Sequence, residues 1–302
     1  MRYDVYQAVT QKIIADLEQG ELTWLKPWAA GNTAGGITRP LRHNGLFYGG
    51  INVLILWAAA IEAGYSSSCW MTFRQAIELG GHVRKGEQGS TVVYAGTISR
   101  TDDDEEGNEG EEGEEARKIR FLKSYTVFNV EQIDGLPKHY PLKPEPAADA
   151  VGDPLQRIAD ADRFFAATCA DIRHGGNRAY YSAASDHVQM PHLESFRSAE
   201  AYYATLAHEA THWTKHETRL DRQLGARKFG DEGYAREELV AELGAAFLCA
   251  DLALTPEPGT DHAAYVQSWL RVLKEDKRAI FSAAAHAQKA LDFLHGLQAR
   301  CT

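Results

Sequence analysis

Residues 2–19 repeat their apolar positions at helical spacing, through Val5, Val9, Ile13, Ile14 and Leu17, and Gly20 ends the run. A loop rich in Gly, Pro and Trp is expected from there to Gly50. Residues 51–63, INVLILWAAAIEA, are apolar nearly all round and predict a buried helix; MTFRQAIEL predicts a short one. STVVYAGTI (90–98) and KIRFLKSYTVFNV (118–130) are rich in β-branched and aromatic residues and predict two strands. The segment 134–154, DGLPKHYPLKPEPAADAVGDP, holds five prolines and predicts a linker between two domains with separate cores. Beyond it the pattern predicts a helix over 154–170, short strands near 179–182 and 186–190, a helix over 198–215, another over 233–254 and two more within 261–296. Strands first and helices after them suggest an α+β arrangement for the C-terminal half. The expected boundaries are 1–135, a linker over 136–153, and 154–302.

Charge changes the picture in one place. The net charge is -10, but residues 101–115, TDDDEEGNEGEEGEE, alone hold ten carboxylates and no base. Before that run nine Lys/Arg face seven Asp/Glu, and after it 23 face 25, so the rest of the chain is balanced and a nucleic-acid partner is not excluded. The run is expected to form a solvated loop or insert between the two strands, because it has nothing to bury. Four scattered cysteines, Cys69, Cys169, Cys249 and Cys301, form no C-x-x-C pair. With no export signal at the start of the sequence, they point to reduced thiols in a cytoplasmic protein. The longest apolar run, Val53 to Ile61, is too short to span a bilayer, so no membrane partner is expected.

The sharpest chemical signal is YATLAHEATHW, which contains His208-Glu209-Ala210-Thr211-His212. On a helix the two histidines face the same way, and two imidazoles on one face can take two corners of a Zn²⁺ tetrahedron. In this His-Glu-x-x-His pattern Glu209 is the expected catalytic residue, a general base toward a water activated by the metal. A third ligand is required. The metzincin form is excluded, because Lys215 and Thr218 stand where it has Gly and His. REELVAELGAAF supplies Glu238 and Glu242 one turn apart, a spacing similar to that of glutamate-type zinc peptidases. Glu238 is the expected third ligand to Zn²⁺ or another divalent metal. Glu242 is expected to orient a ligand histidine through its other ring nitrogen, and Glu237 to be an acid favoured near a helix N-terminus. His187 and His192 flank VQM, an expected edge strand to which a peptide could add by strand pairing; both histidines are expected at the surface.

The N-terminal half has no phosphate-binding Gly-Lys-Ser/Thr loop and no dinucleotide fingerprint. Its aromatics Trp24, Trp28, Tyr48, Trp57 and Trp70 are interleaved with Lys26, Arg39, Arg42, Arg74, Arg84 and Lys85. Rings that stack on bases, beside cations that follow phosphates, suit single-strand binding with little sequence preference. Trp57, inside the apolar helix, belongs to a core. The expected DNA-binding set is Trp24, Lys26, Trp28, Arg39, Arg42, Asn44, Tyr48, Arg84 and Lys85.

RPLRHNGLFYGGINVLILW, WMTFRQAIELGGHVRKGEQGSTVVY, LAHEATHWTKHETRLDR and REELVAELGAAFLCA, in this order and across nearly the whole chain, resemble the ArdC-type antirestriction proteins of plasmids and mobile elements. The resemblance implies an α+β protein of two domains. One is an N-terminal α/β single-stranded-DNA-binding domain; the other is a C-terminal, mostly helical zincin-like domain with a small sheet. It also implies protection of incoming plasmid DNA against a host restriction system during conjugation. Lys215 stands where the family usually has Gly, and the acidic insert is outside the family pattern. Two other functions fit the same residues: a zinc metalloprotease that cleaves a DNA-associated host protein, and a DNA mimic acting through the acidic run.

Overall fold

The computed structural model describes residues 4–26, 37–100, 117–138, 140, 154–225, 232–255 and 262–298. The acidic run and nearly all of the Pro-rich linker lie outside these residues. Eight α-helices and nine strands follow one another among the described residues: α1 (Val5–Glu18), β1 (Leu41–Arg42), α2 (Ile51–Ala63), β2 (Cys69–Thr72), α3 (Phe73–Glu78), β3 (His82–Val83), β4 (Ser90–Arg100), β5 (Arg117–Asn129) and β6 (Ile133–Asp134), then α4 (Pro154–Ala167), β7 (Asp171–His174), β8 (Tyr180–Ser182), β9 (His187–Met190), α5 (Ala199–Trp213), α6 (Glu232–Asp251), α7 (His262–Glu275) and α8 (Ala279–Gln298). The class is α+β, as expected.

The N-terminal sheet has the order β1-β2-β5-β4, with β4 and β5 paired antiparallel from Ser90↔Val127 to Arg100↔Arg117. Edge strand β4 is covered where α2 crosses it. The Asn52 amide donates to the Val93 carbonyl and accepts from the Val93 N–H, both at 2.8 Å. That contact satisfies backbone groups an exposed edge would leave open. One side of α2 packs on this sheet, with Leu56 against Tyr48, Trp70, Val92 and Val127.

The other side of α2 does not close a core of its own. Ile13, Leu17, Trp24, Ile51, Leu54 and Trp57 share one apolar cluster with Phe247, Trp269 and Leu291 from the C-terminal half. Trp24 meets Trp269 edge-on at 5.5 Å, and Trp57 meets Phe247 at 6.0 Å. The expectation of separate cores is therefore corrected. The apolar stripes of α1 and α2 are more than the small sheet can cover, so α6, α7 and α8 cover them. Contact at the start of α2 is close: a Cβ on Gly49 would sit 2.8 Å from Gln288 Oε1 and push that side chain aside, and the same oxygen accepts from the Gly50 N–H at 3.1 Å.

The C-terminal sheet has the order β7-β9-β8, with β9 parallel to β7 and antiparallel to β8. The strand expected at an edge, His187–Met190, is thus central, and no peptide can add to it. His187 is buried rather than a surface residue, whereas His192 is exposed. The extra strand β7, Asp-Ile-Arg-His, carries one apolar residue and gave no periodic signal. No described helix is long and apolar enough to cross a membrane.

Candidate metal centre and the exposed cations

Helix α5 carries the His-Glu-x-x-His segment. Ser198 caps it, its side chain accepting from the Ala201 N–H at 3.0 Å. Most of α5 is buried, because β8, β9, α6 and α8 pack around it. Helix α6 lies against it closely at one point. A Cβ on Gly244 would fall 2.6 Å from both Thr211 Cγ2 and Thr211 Oγ1, so only glycine lets the two backbones approach there. The approach brings the acids of α6 under the histidines of α5.

The result is a compact donor triangle. His208 Nε2 and His212 Nε2 are 3.2 Å apart, and Glu238 places Oε2 3.5 Å from the first and Oε1 3.5 Å from the second. These three residues are the group among the described residues whose donor atoms converge as metal ligands would. A tetrahedral ion bound at about 2.0–2.1 Å has edges of about 3.3 Å; the 3.2 Å between the two Nε2 atoms matches one such edge, and a carboxylate oxygen of Glu238 lies close to each of them. Charge points the same way. Glu209, Glu237, Glu238 and Glu242 are all buried here, and the described cations beside them are Arg222 and the half-exposed Lys215.

Electrostatics are strongly perturbed. Burial opposes the His212 imidazolium, but bonds to Glu237 and Glu238 outweigh it and raise its pKa to about 10. His208 is raised as well, burial again opposing and Glu238 prevailing. Burial pushes Glu237 up, yet Arg222 and His212 hold it down at about 2; Glu238 is also lowered, by the two histidines against burial. Glu209 is buried beside His208 and has no hydrogen-bond partner among the described residues.

Two residues of this site were missed. Glu237 accepts from His212 Nδ1 at 3.0 Å, and Arg222 grips Glu237 with Nε at 2.9 Å and Nη2 at 2.8 Å. Glu237 was assigned to the helix dipole, although its neighbours Leu239 and Val240 mark that helix as buried. Arg222 lies in a loop without periodicity, where sequence offered no signal. Glu242 does approach a ligand histidine, 3.5 Å from His208 Nδ1.

The expected DNA-binding set divides. Trp24 and Tyr48 are core residues, at 0% and 8% exposure, and cannot stack on bases. Arg39 is buried and makes a two-pronged pair with Asp251 at 2.6 and 2.9 Å. Lys26 is bound to Asp16 and Glu21, each at 2.7 Å. Polar loops conceal these burials: Trp24 packs on Trp269 of α7, and Arg39 reaches Asp251 at the end of α6. Trp28 lies outside the described residues. Arg42, Asn44, Arg84 and Lys85 are exposed, with Arg42 over the Tyr48 ring and Arg84 paired to Glu87. The exposed rings nearby are Phe47, Phe73, Tyr94 and Tyr125.

The N-terminal domain of anti-restriction factor ArdC matches residues 3–128 as a family, and a zincin-like metallopeptidase family matches residues 159–286. The crystal structure of antirestriction ArdC protein from plasmid R388, in its metal-free form, is 51% identical, covers 99% of each chain and superposes with a TM-score of 0.80. The chain belongs to the ArdC antirestriction family. The Mn(II)-bound structure of the R388 ArdC protein is likewise similar, with 50% identity, a TM-score of 0.79 and coverage of 99% of this chain and 100% of that one. Another relative is the uncharacterized protein y4eC of Sinorhizobium fredii, 44% identical over 297 residues, which are 98% of this chain and 92% of y4eC. DNA primase TraC of Escherichia coli is 38% identical over 301 residues; the match covers 96% of this chain but 27% of TraC.

Proposed function

We propose that this antirestriction protein binds single-stranded DNA through its N-terminal half and carries a divalent-metal peptidase site, with zinc the first candidate, in its C-terminal half. The donor triangle of His208, His212 and Glu238 carries the reading. The Mn(II)-bound R388 relative supports a divalent ion at such a site. A bound cation would supply Lewis acidity to a peptide carbonyl. Glu209 then takes the proton of the attacking water, and its buried carboxylate makes no competing bond among the described residues. In the N-terminal half, Arg42, Asn44, Arg84 and Lys85 are the members of the expected set that stay exposed and could meet a DNA backbone. Base stacking falls to exposed rings such as Tyr94 and Tyr125 instead of Trp24 and Tyr48.

Metal analysis of the purified chain tests the first part: about one divalent ion per chain is expected, lost in His208→Ala and Glu238→Ala. A chain with no ion, or with an ion unaffected by Glu238→Ala, refutes this ligand set. A second reading, a metalloprotease that acts on a DNA-associated host protein, is favoured by the unengaged Glu209. Plasmid transfer into restricting and non-restricting hosts separates the two. Glu209→Gln should keep both metal and DNA; if it also keeps protection, the bound DNA is shielded without hydrolysis, and if it loses protection, hydrolysis is the protective step.

A further inference from the structure

We infer that Glu237, anchored by Arg222, is the residue that holds His212 in its metal-binding state, and that it outranks Glu242 in the site. The inference rests on the divalent-cation reading above. His212 lies buried in the last turn of α5. An ionised carboxylate only accepts, so the 3.0 Å contact makes His212 Nδ1 the proton-bearing nitrogen. In the neutral ring that a metal ligand must be, the lone pair then falls on Nε2, and it is Nε2 that faces His208 at 3.2 Å and Glu238 at 3.5 Å.

Arg222 fixes the carboxylate in turn. Its side chain is 1% exposed and donates twice to Glu237. It also donates to Thr214 Oγ1 at 3.0 Å and to the Thr211 carbonyl at 2.9 Å, both at the end of α5. One guanidinium therefore ties the acid of α6 to the turn of α5 that carries the histidine. Planar, two-pronged pairing of this kind sets orientation as well as distance. His208 has a looser arrangement: Glu242 stands 3.5 Å from its Nδ1, and Arg222 directs its bonds to Glu237.

The amide of Glu237→Gln is nearly isosteric and gives a test of orientation. Glu237 Oε1 accepts from both His212 Nδ1 and Arg222 Nη2, and Oε2 from Arg222 Nε, so the NH₂ of the new amide meets a guanidinium donor whichever way it turns, and meets His212 Nδ1 as well when it takes the place of Oε1. Either way the two-pronged pair that holds the acid against Nδ1 is broken, and the second placement also favours the tautomer with its proton on Nε2, where the metal must bind. Zinc affinity of the full-length chain is measured by competition with a chelating dye, alongside melting of the metal-free protein. Glu237→Gln should weaken zinc binding by about 10–100-fold, with a lower metal-free melting temperature beside it, because Arg222 is left buried without its carboxylate. Glu242→Gln should weaken it less, and Arg222→Lys, which keeps the charge but not the two-pronged geometry, should fall between native and Glu237→Gln. Native-like affinity in Glu237→Gln, or a greater loss in Glu242→Gln, overturns the inference and leaves the cation reading intact. A lower melting temperature with unchanged affinity assigns the clamp to structure alone and also overturns it. A native chain that takes up no zinc removes the cation reading itself, and the inference with it.

Discussion

Arg39 shows how burial reassigns a single residue. Its guanidinium and the Asp251 carboxylate are 8% and 6% exposed, and His295 Nε2 also reaches Asp251 at 2.8 Å. A pair this dry is costly to break, because the survivor is left charged and buried. Arg39→Ala should destabilise the protein by about 3 kcal/mol, toward the low end of the range for broken buried pairs because His295 remains. Urea unfolding measures this. DNA affinity of the folded variant should hold within about threefold, or ~0.7 kcal/mol; a tenfold loss would return Arg39 to the DNA surface. The thiols give a second residue-scale prediction. Burial raises Cys249 to about 12 and Cys69 to about 11, whereas Cys169 is exposed. Thiolate is the reactive form, so iodoacetamide at neutral pH should label Cys169 in the native chain and reach Cys249 only on unfolding, as peptide mass mapping would show.

At the scale of elements, the meeting of α5 and α6 builds the candidate metal centre, and a Cβ on Gly244 would fall 2.6 Å from Thr211 of the facing helix. Gly244→Ala should cost about 1–3 kcal/mol, the usual price of overpacking, and should weaken metal binding by displacing Glu238 from the histidines. Thr211→Ala removes the two atoms in the way, so the double variant should recover much of the affinity; zinc titration of the three chains checks this. These two helices were also the most legible part of the sequence. His208, His212, Glu238 and Glu242 were readable because one turn of helix puts i and i+4 together, and the α5 and α6 patterns are long. Helix α2 was readable to the residue because it is apolar throughout and bounded by glycines. Glu237 and Arg222 were not, since their roles depend on a contact between a loop and a helix. Trp24 and Tyr48 failed for a related reason: local polarity and proline content describe a loop's sequence, not what packs over it. Strand β7 failed because its exposed side chains leave no alternation to detect.

On the scale of the whole molecule, the shared core joins the two family-matched halves. Ile13, Leu17, Trp24 and Trp57 are buried against Phe247, Trp269 and Leu291, so separating the halves would expose apolar surface on both. Each large side chain stripped of its cover costs about 1.5–3 kcal/mol, and several are involved, so residues 1–135 alone should not fold to the stability they have in the intact chain. The same coupling must carry the effect of metal binding. A ligand that binds only the folded state stabilises it by about 2.7 kcal/mol at a hundred times its Kd. With separate cores, that gain would stay in α5, α6 and their neighbours. With one core, unfolding of α1 and α2 also opens the cover of α6 to α8, so the N-terminal helices share the gain. Hydrogen exchange with and without zinc distinguishes the cases. The slowest amides of α2, above all those near Leu54 and Trp57, should slow on zinc addition in step with those of α6, and chelation should reverse both. Slowing confined to residues after 154 would show that the packed surfaces are only docked, and that the two halves unfold independently.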